Sequence, residues 1–164
     1  SYPADETLVS SVLPIGDVQA RIYNVFTDSS WNNSWSDERQ YGPTTAQYDL
    51  VNYPLVTKNK SSVKERFALV FTSSNTVDVV GEHLGVILSD APITSDIAPI
   101  NPATGEAYFT IRHEGWGDGW SAGQVLRFNS DAGNFPVWFC RTTQQGPATE
   151  NSDDYVIQIR GDSS

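Results

Sequence analysis

Val63-Lys-Glu-Arg-Phe-Ala-Leu-Val-Phe71 decides the fold class. Val63, Glu65, Phe67, Leu69 and Phe71 alternate with Lys64, Arg66, Ala68 and Val70, and residues two apart share one face of a strand. The same period recurs where Val18, Ala20 and Ile22 alternate with Gln19, Arg21 and Tyr23. Further strands are predicted over residues 48–57, 77–80, 85–88, 107–113, 124–129, 137–142 and 155–160, each bounded by Gly, Pro, Asn, Asp or Ser. No window keeps a 3.6-residue apolar stripe long enough for a substantial helix, and a turn is expected near residues 94–97. Many short strands with turn-rich connections predict an all-β chain, an antiparallel β-sandwich or barrel-like domain with long loops and under about a tenth of its residues in helix. Phe67, Leu69, Phe71, Phe109, Ile111, Val125, Phe128, Val137, Phe139 and Ile157 are the expected core, because they are β-favouring residues on strand runs.

A length of 164 residues and a mass of 18.0 kDa fit a single β domain over 1–164, with 1–7 and 162–164 as flexible ends. Ten Lys and Arg against twenty Asp and Glu leave a net charge of -10, which repels a phosphate backbone and an anionic membrane surface. The one basic cluster, Lys58, Lys60, Lys64 and Arg66, is interrupted by Glu65 and reads as a solvated strand edge or turn. Nucleic acid is therefore excluded as a partner. No apolar run approaches the roughly 18 residues that span a bilayer, so no membrane insertion is expected. The single cysteine, Cys140, lies in Phe135-Pro-Val-Trp-Phe-Cys140 and reads as a small buried hydrophobe.

Two regions carry the tryptophans that could act in recognition. Gly115-Trp-Gly-Asp-Gly-Trp-Ser-Ala-Gly123 holds four of the twelve glycines, and Ser30-Trp-Asn-Asn-Ser-Trp-Ser-Asp37 lies in a long connection over residues 27–45. Trp31, Trp35, Trp116 and Trp120, with Asp118, are the candidate binding residues, for a glycan or for an assembly contact. Paired indoles stack on sugar rings while neighbouring polar groups bond hydroxyls; the other reading is that the rings close the ends of the β core. A second long connection, residues 89–106, carries three prolines.

Glu82-His83 and His113-Glu114 are the two places where an imidazole adjoins a carboxylate in sequence. Strand neighbours point to opposite faces, so neither is a dyad by adjacency. No Gly-x-Ser-x-Gly elbow or His-Glu-x-x-His run occurs. No catalytic residue and no metal ligand is expected, and the chain is read as a non-enzyme without a cofactor. Asn129-Ser-Asp131-Ala-Gly133-Asn134 resembles the start of a structural calcium loop but lacks its terminal Glu. Arg160-Gly161-Asp162 reads as the exit of the final strand.

Trp35-Ser-Asp37, Ala46-Gln-Tyr48, Tyr53-Pro54, Val63-Lys-Glu-Arg66, Val80-Gly-Glu82, Pro99-Ile-Asn-Pro102, Tyr108-Phe109, Gly115-Trp-Gly-Asp-Gly-Trp120, Val125-Leu-Arg-Phe-Asn129, Pro136-Val-Trp138 and Arg160-Gly-Asp162 form an ordered string. It resembles a domain of the virion structural proteins of tailed bacteriophages, of the tail or baseplate type found in Mu-like siphophages and related prophages. The resemblance runs from about residue 18 to 162, with Gln124 where the pattern has Asn. It implies a virion location after synthesis in the bacterial host cytoplasm, other virion proteins as partners, a symmetric homo-oligomer, and assembly or host contact as the role. It supplies no catalytic residues. A head-decoration protein and a carbohydrate-binding module that meets a host-surface glycan through the tryptophan loops are the alternatives.

Overall fold

The computed structural model describes residues 8–12, 19–133 and 138–142. The chain falls into two compact units, one of residues 1–17 with 135–164 and one of residues 18–134. In the first unit, β1 (Leu8–Val12) pairs antiparallel with β7 (Trp138–Thr142), Ser10 lying opposite Cys140. The expected strand over 137–142 is thus present. Its partner β1 was not expected, because Leu-Val-Ser-Ser-Val has no clean alternation. The strand expected over 155–160, the expected flexible ends and the Arg160-Gly161-Asp162 exit lie outside the described residues.

The second unit holds a five-stranded, wholly antiparallel sheet in the order β2-β6-β3-β4-β5. Its strands are β2 (Arg21–Asp28), β3 (Glu65–Phe71), β4 (Thr76–Gly81), β5 (Gly85–Pro92) and β6 (Val125–Asp131). Register aligns the apolar alternation of neighbouring strands: Phe67 faces Phe128, Leu69 lies between Leu126 and Val79, and Phe71 faces Val77. All of these are buried. One sheet face is therefore a continuous apolar layer, and the fold is all-β, as the alternation predicts. Among the described residues, helix is confined to one 3₁₀ turn at His113–Gly115. The turn expected near residues 94–97 falls at 93–95.

Among the described residues, the apolar face is covered by extended chain joined through single bridges, an open-sheet arrangement that fits a sandwich or barrel-like fold. Single bridges join Tyr48 to Trp116, Val56 to Thr110, Ile97 to Ile111 and Ile100 to Ala107. Ala46, Tyr48, Ile97, Tyr108, Phe109, Ile111 and Trp120 from these segments pack onto the sheet residues as one core. Phe67 meets Phe109 edge-on at 4.8 Å, and Phe109 meets Phe128 at 4.9 Å. The strands expected over 48–57 and 107–113 are consequently reduced to bridges. Asp49 folds the first into a turn by accepting the backbone N–H groups of Val51 and Asn52 and the Asn52 amide, and Pro54 has no N–H to give a ladder. Of the expected core residues, Phe67, Leu69, Phe71, Phe109, Ile111, Val125 and Phe128 are buried; Val137, Phe139 and Ile157 lie outside the residues whose side chains are described.

The opposite sheet face is polar at its centre and is closed by the connection over residues 29–45. Arg127 and Asn129 alternate with core-facing Leu126 and Phe128, so both point to this second face. Arg127 is 3% exposed and donates from Nε and Nη2 to Asp28 Oδ2 at 3.0 and 2.8 Å. It also donates to the carbonyls of Ser36 and Glu38, each at 3.2 Å, which pins the connection to the sheet. Ala68, directly opposite Arg127 on β3, has the small side chain that leaves room for the guanidinium. Midway along β2, a register shift between Tyr23 and Phe26 coincides with Asn24 at φ 51, a left-handed position that Asn tolerates.

Candidate functional site

The glycine-tryptophan segment is built against Gln47-Tyr48-Asp49. Gly117 N–H donates to the Gln47 carbonyl at 3.0 Å, and Asp49 N–H to the Gly115 carbonyl at 2.8 Å. A Cβ at Gly115 would overlap the Tyr48 ring, so only glycine admits that approach. Gly119 turns the chain at φ 93, again a glycine conformation. The Tyr48 hydroxyl donates to the Arg112 carbonyl at 3.0 Å, and burial pushes its pKa up to about 12, which keeps the proton on the phenol.

These constraints deliver both indoles to the open end of the core. Trp120 is 4% exposed and stacks on Phe71 with ring centres 4.3 Å apart and planes within 6°. Trp116 is half-buried and meets Trp120, Phe71 and Tyr48 edge-on at 5.4, 5.5 and 4.9 Å. Both indole N–H groups are buried without an acceptor among the described residues. Each such group costs about 1–3 kcal/mol of desolvation, which ring packing must offset.

A cleft of about 440 Å³ opens beside the two rings, lined by residues 74–75, 93–94, 113 and 116–120. That volume falls within the roughly 300–1,000 Å³ of small-ligand pockets. Asp118 lies exposed at its rim. Trp31 and Trp35 are also a pair, edge-on at 4.9 Å, but they belong to the other sheet face, where Trp31 lies over Arg127 at 5.8 Å. The five candidate binding residues are thus two separate groups. Trp116, Asp118 and Trp120 share one cleft; Trp31 and Trp35 share the wall that covers Arg127.

A second, smaller cavity of about 220 Å³ is lined by charge: Asp37, Lys64, Glu65, Arg66, Glu82 and His83, with Tyr23, Asn129 and Ser130. Here the polar groups largely satisfy one another. Arg66 donates to Asp37 at 2.8 Å and to Glu82 at 2.7 Å, and Asn129 donates to Asp37 at 2.8 Å. The Arg66 hydrogen bond, followed by that of Asn129, holds the Asp37 carboxyl below the usual aspartate range. A carboxylate depressed in the folded state contributes stability that is present above its unfolded pKa and is lost as pH falls through the folded one. Asp37→Asn is therefore expected to melt lower than the parent near neutral pH and to lose less further stability on acidification below about pH 4. Parallel acid limbs for the two proteins in thermal melts would refute this role for Asp37.

Two histidine-carboxylate groups could offer metal ligands, although none is expected from sequence: Glu65, Glu82 and His83, and Asp96, His113 and Glu114. In each, a guanidinium already lies against carboxylate oxygen, Arg66 at 2.7 Å from Glu82 and Arg112 at 3.2 Å from Glu114. The closest imidazole pairings are not with sequence neighbours. His83 Nδ1 lies 3.1 Å from Glu65 and His113 Nδ1 lies 2.8 Å from Asp96. A backbone hydrogen bond from His113, then its ring, depresses the Asp96 carboxyl. Sequence reading missed Glu65 and Asp96 because the contacts span 18 and 17 residues, a separation at which local pattern carries no signal. Among the described residues, neither imidazole bonds a hydroxyl or thiol.

The stretch compared with a calcium loop is mostly strand. Asn129 and Asp131 lie in β6, with Asp131 paired to Arg21 at 2.9 Å and Asn129 bound to Asp37. Compared with known proteins, the chain matches no family model, no curated protein and no solved structure.

Proposed function

We propose that the chain is a non-enzymatic structural component of a tailed-phage virion, a tail-tip or baseplate module that mediates assembly or host contact. One observation carries the reading. Segments that bear the sequence resemblance meet one another as braces of the fold: Asp37 with Arg66 and Asn129, Arg66 with Glu82, and Gln47 with Gly117. A string built from such braces reads as the signature of a scaffold, and contact through the surface of that scaffold is the role proposed for it.

The outer strand β5 supports an assembly role, because Val86 is 62% exposed on it and the preceding Leu84 is 43% exposed. Self-association would cover that apolar edge and keep it from non-specific pairing. The test is proteomics of purified particles separated into heads and tails, together with light scattering of the isolated chain. Recovery with tails and a closed homo-oligomer are expected. Recovery with heads would favour the decoration alternative, and absence from particles would overturn the proposal.

A further inference from the structure

We infer that the cleft beside Trp116 and Trp120 is a binding site for a neutral saccharide, contacted by Asp118, Asn75, Ser74 and Thr94. The tryptophan cleft and the charged cavity differ in what their polar groups are doing. In the charged cavity, Asp37, Glu65, Arg66, Glu82 and Asn129 are bound to one another or to His83. In the tryptophan cleft, the side chains of Ser74, Asn75, Thr94 and Asp118 have no hydrogen-bond partner among the described residues, and all four are exposed. Hydroxyl, amide and carboxylate groups in this combination match sugar hydroxyls, which both donate and accept.

The backbone helps to hold these groups in place. Ile93 N–H donates to the Asn75 carbonyl at 2.9 Å, tying the β3–β4 turn to the exit of β5. His113 is held by its Nδ1 contact to Asp96 at 2.8 Å, and its Nε2 has no partner among the described residues. The floor is aromatic and nine-tenths buried at Trp120, whose indole N–H has no partner among the described residues. A rigid apolar floor under a few convergent polar groups is the general form of a small-ligand site.

Charge selects the class of sugar. Among the described residues no Lys or Arg lines the cleft, Asp118 does, and the chain carries a net charge of -10. Carboxylated and phosphorylated glycans are repelled, so the ligand is an uncharged hexose or N-acetylhexosamine unit. The inference rests on the contact-module reading for its biological setting, since host contact requires a receptor, while the site itself is argued from the cleft.

The test is a printed array of neutral and sialylated glycans, followed by titration of glucose, galactose, mannose and N-acetylglucosamine, and of array positives, with tryptophan emission as the signal. At least one neutral sugar should saturate below about 10 mM. Asp118→Ala and Asn75→Ala should each weaken it about tenfold or more with unchanged melting temperature, Asp118→Asn should retain part of the affinity, and Trp31→Ala should not matter. The inference fails if no neutral glycan binds, if sialylated glycans bind better, or if both alanine variants bind like the parent. Failure here with the chain still present in tails would leave the virion reading intact; sugar binding without incorporation into particles would do the reverse.

Discussion

Arg127→Met should destabilise the chain by about 3 to 5 kcal/mol, because removing one partner of a buried ion pair leaves the other charge uncompensated. Asp28 is fully buried, and both short guanidinium contacts go to its Oδ2. Among the described residues its Oδ1 has no hydrogen-bond partner, and Arg39 lies 3.9 Å from it, too far to replace Arg127. Removing both charges in Asp28→Leu with Arg127→Met should recover a large part of the loss, since paired apolar replacements of buried ions are often near neutral. Recovery should be incomplete, because Arg127 also satisfies the Ser36 and Glu38 carbonyls. Urea unfolding of the two single variants and the double variant measures the coupling. A loss below about 1 kcal/mol for Arg127→Met, or strict additivity in the double variant, would show that the pair does not hold the loop to the sheet.

Trp120→Ala should cost a similar amount, about 3 to 5 kcal/mol, and lower the melting temperature by roughly 6 to 20 °C. The ring lies flat on Phe71 and edge-on to Trp116, so its removal opens a cavity in the core. The flanking backbone cannot collapse freely, because Gly123 N–H bonds the Phe71 carbonyl at 2.8 Å and Phe71 N–H bonds that of Gln124 at 2.9 Å. Trp120→Phe should lose much less, since it keeps an aromatic ring on Phe71 and removes the unpartnered N–H. A Trp120→Ala melt that matches the parent while saccharide binding disappears would make the ring a ligand platform instead of a packing element.

The alternation in residues 63–71 was sufficient to identify β3 and its buried side, because the face of a strand side chain depends only on its position in the pleat. The same local rule makes Val77, Val79, Leu126 and Phe128 core residues, and the glycines of the 115–123 segment could be tied to close approach or left-handed backbone from chemistry alone. Where a polar residue on the second face ends up follows no local rule. Arg127 and Asn129 alternate with core residues on β6, and a connection some 90 residues earlier covers them.

Extended segments also need partners that sequence does not name. Residues 48–57 and 107–113 have strand-like composition, yet a turn at Asp49 and a missing N–H at Pro54 leave them joined by single bridges. β1 exists because Trp138–Thr142 lies opposite it across the whole chain. Tertiary structure likewise separated the tryptophans into a pair over Arg127 and a pair on Phe71. By itself, the sequence determined the all-β class, the main core strand and the residue types available for recognition, since these follow from side-chain period and chemistry. Only the folded chain decided which polar groups were consumed in pairing and which, among the described residues, have no partner beside an aromatic floor, because the pairings that bind the sheet and its connections span 16 to 110 residues.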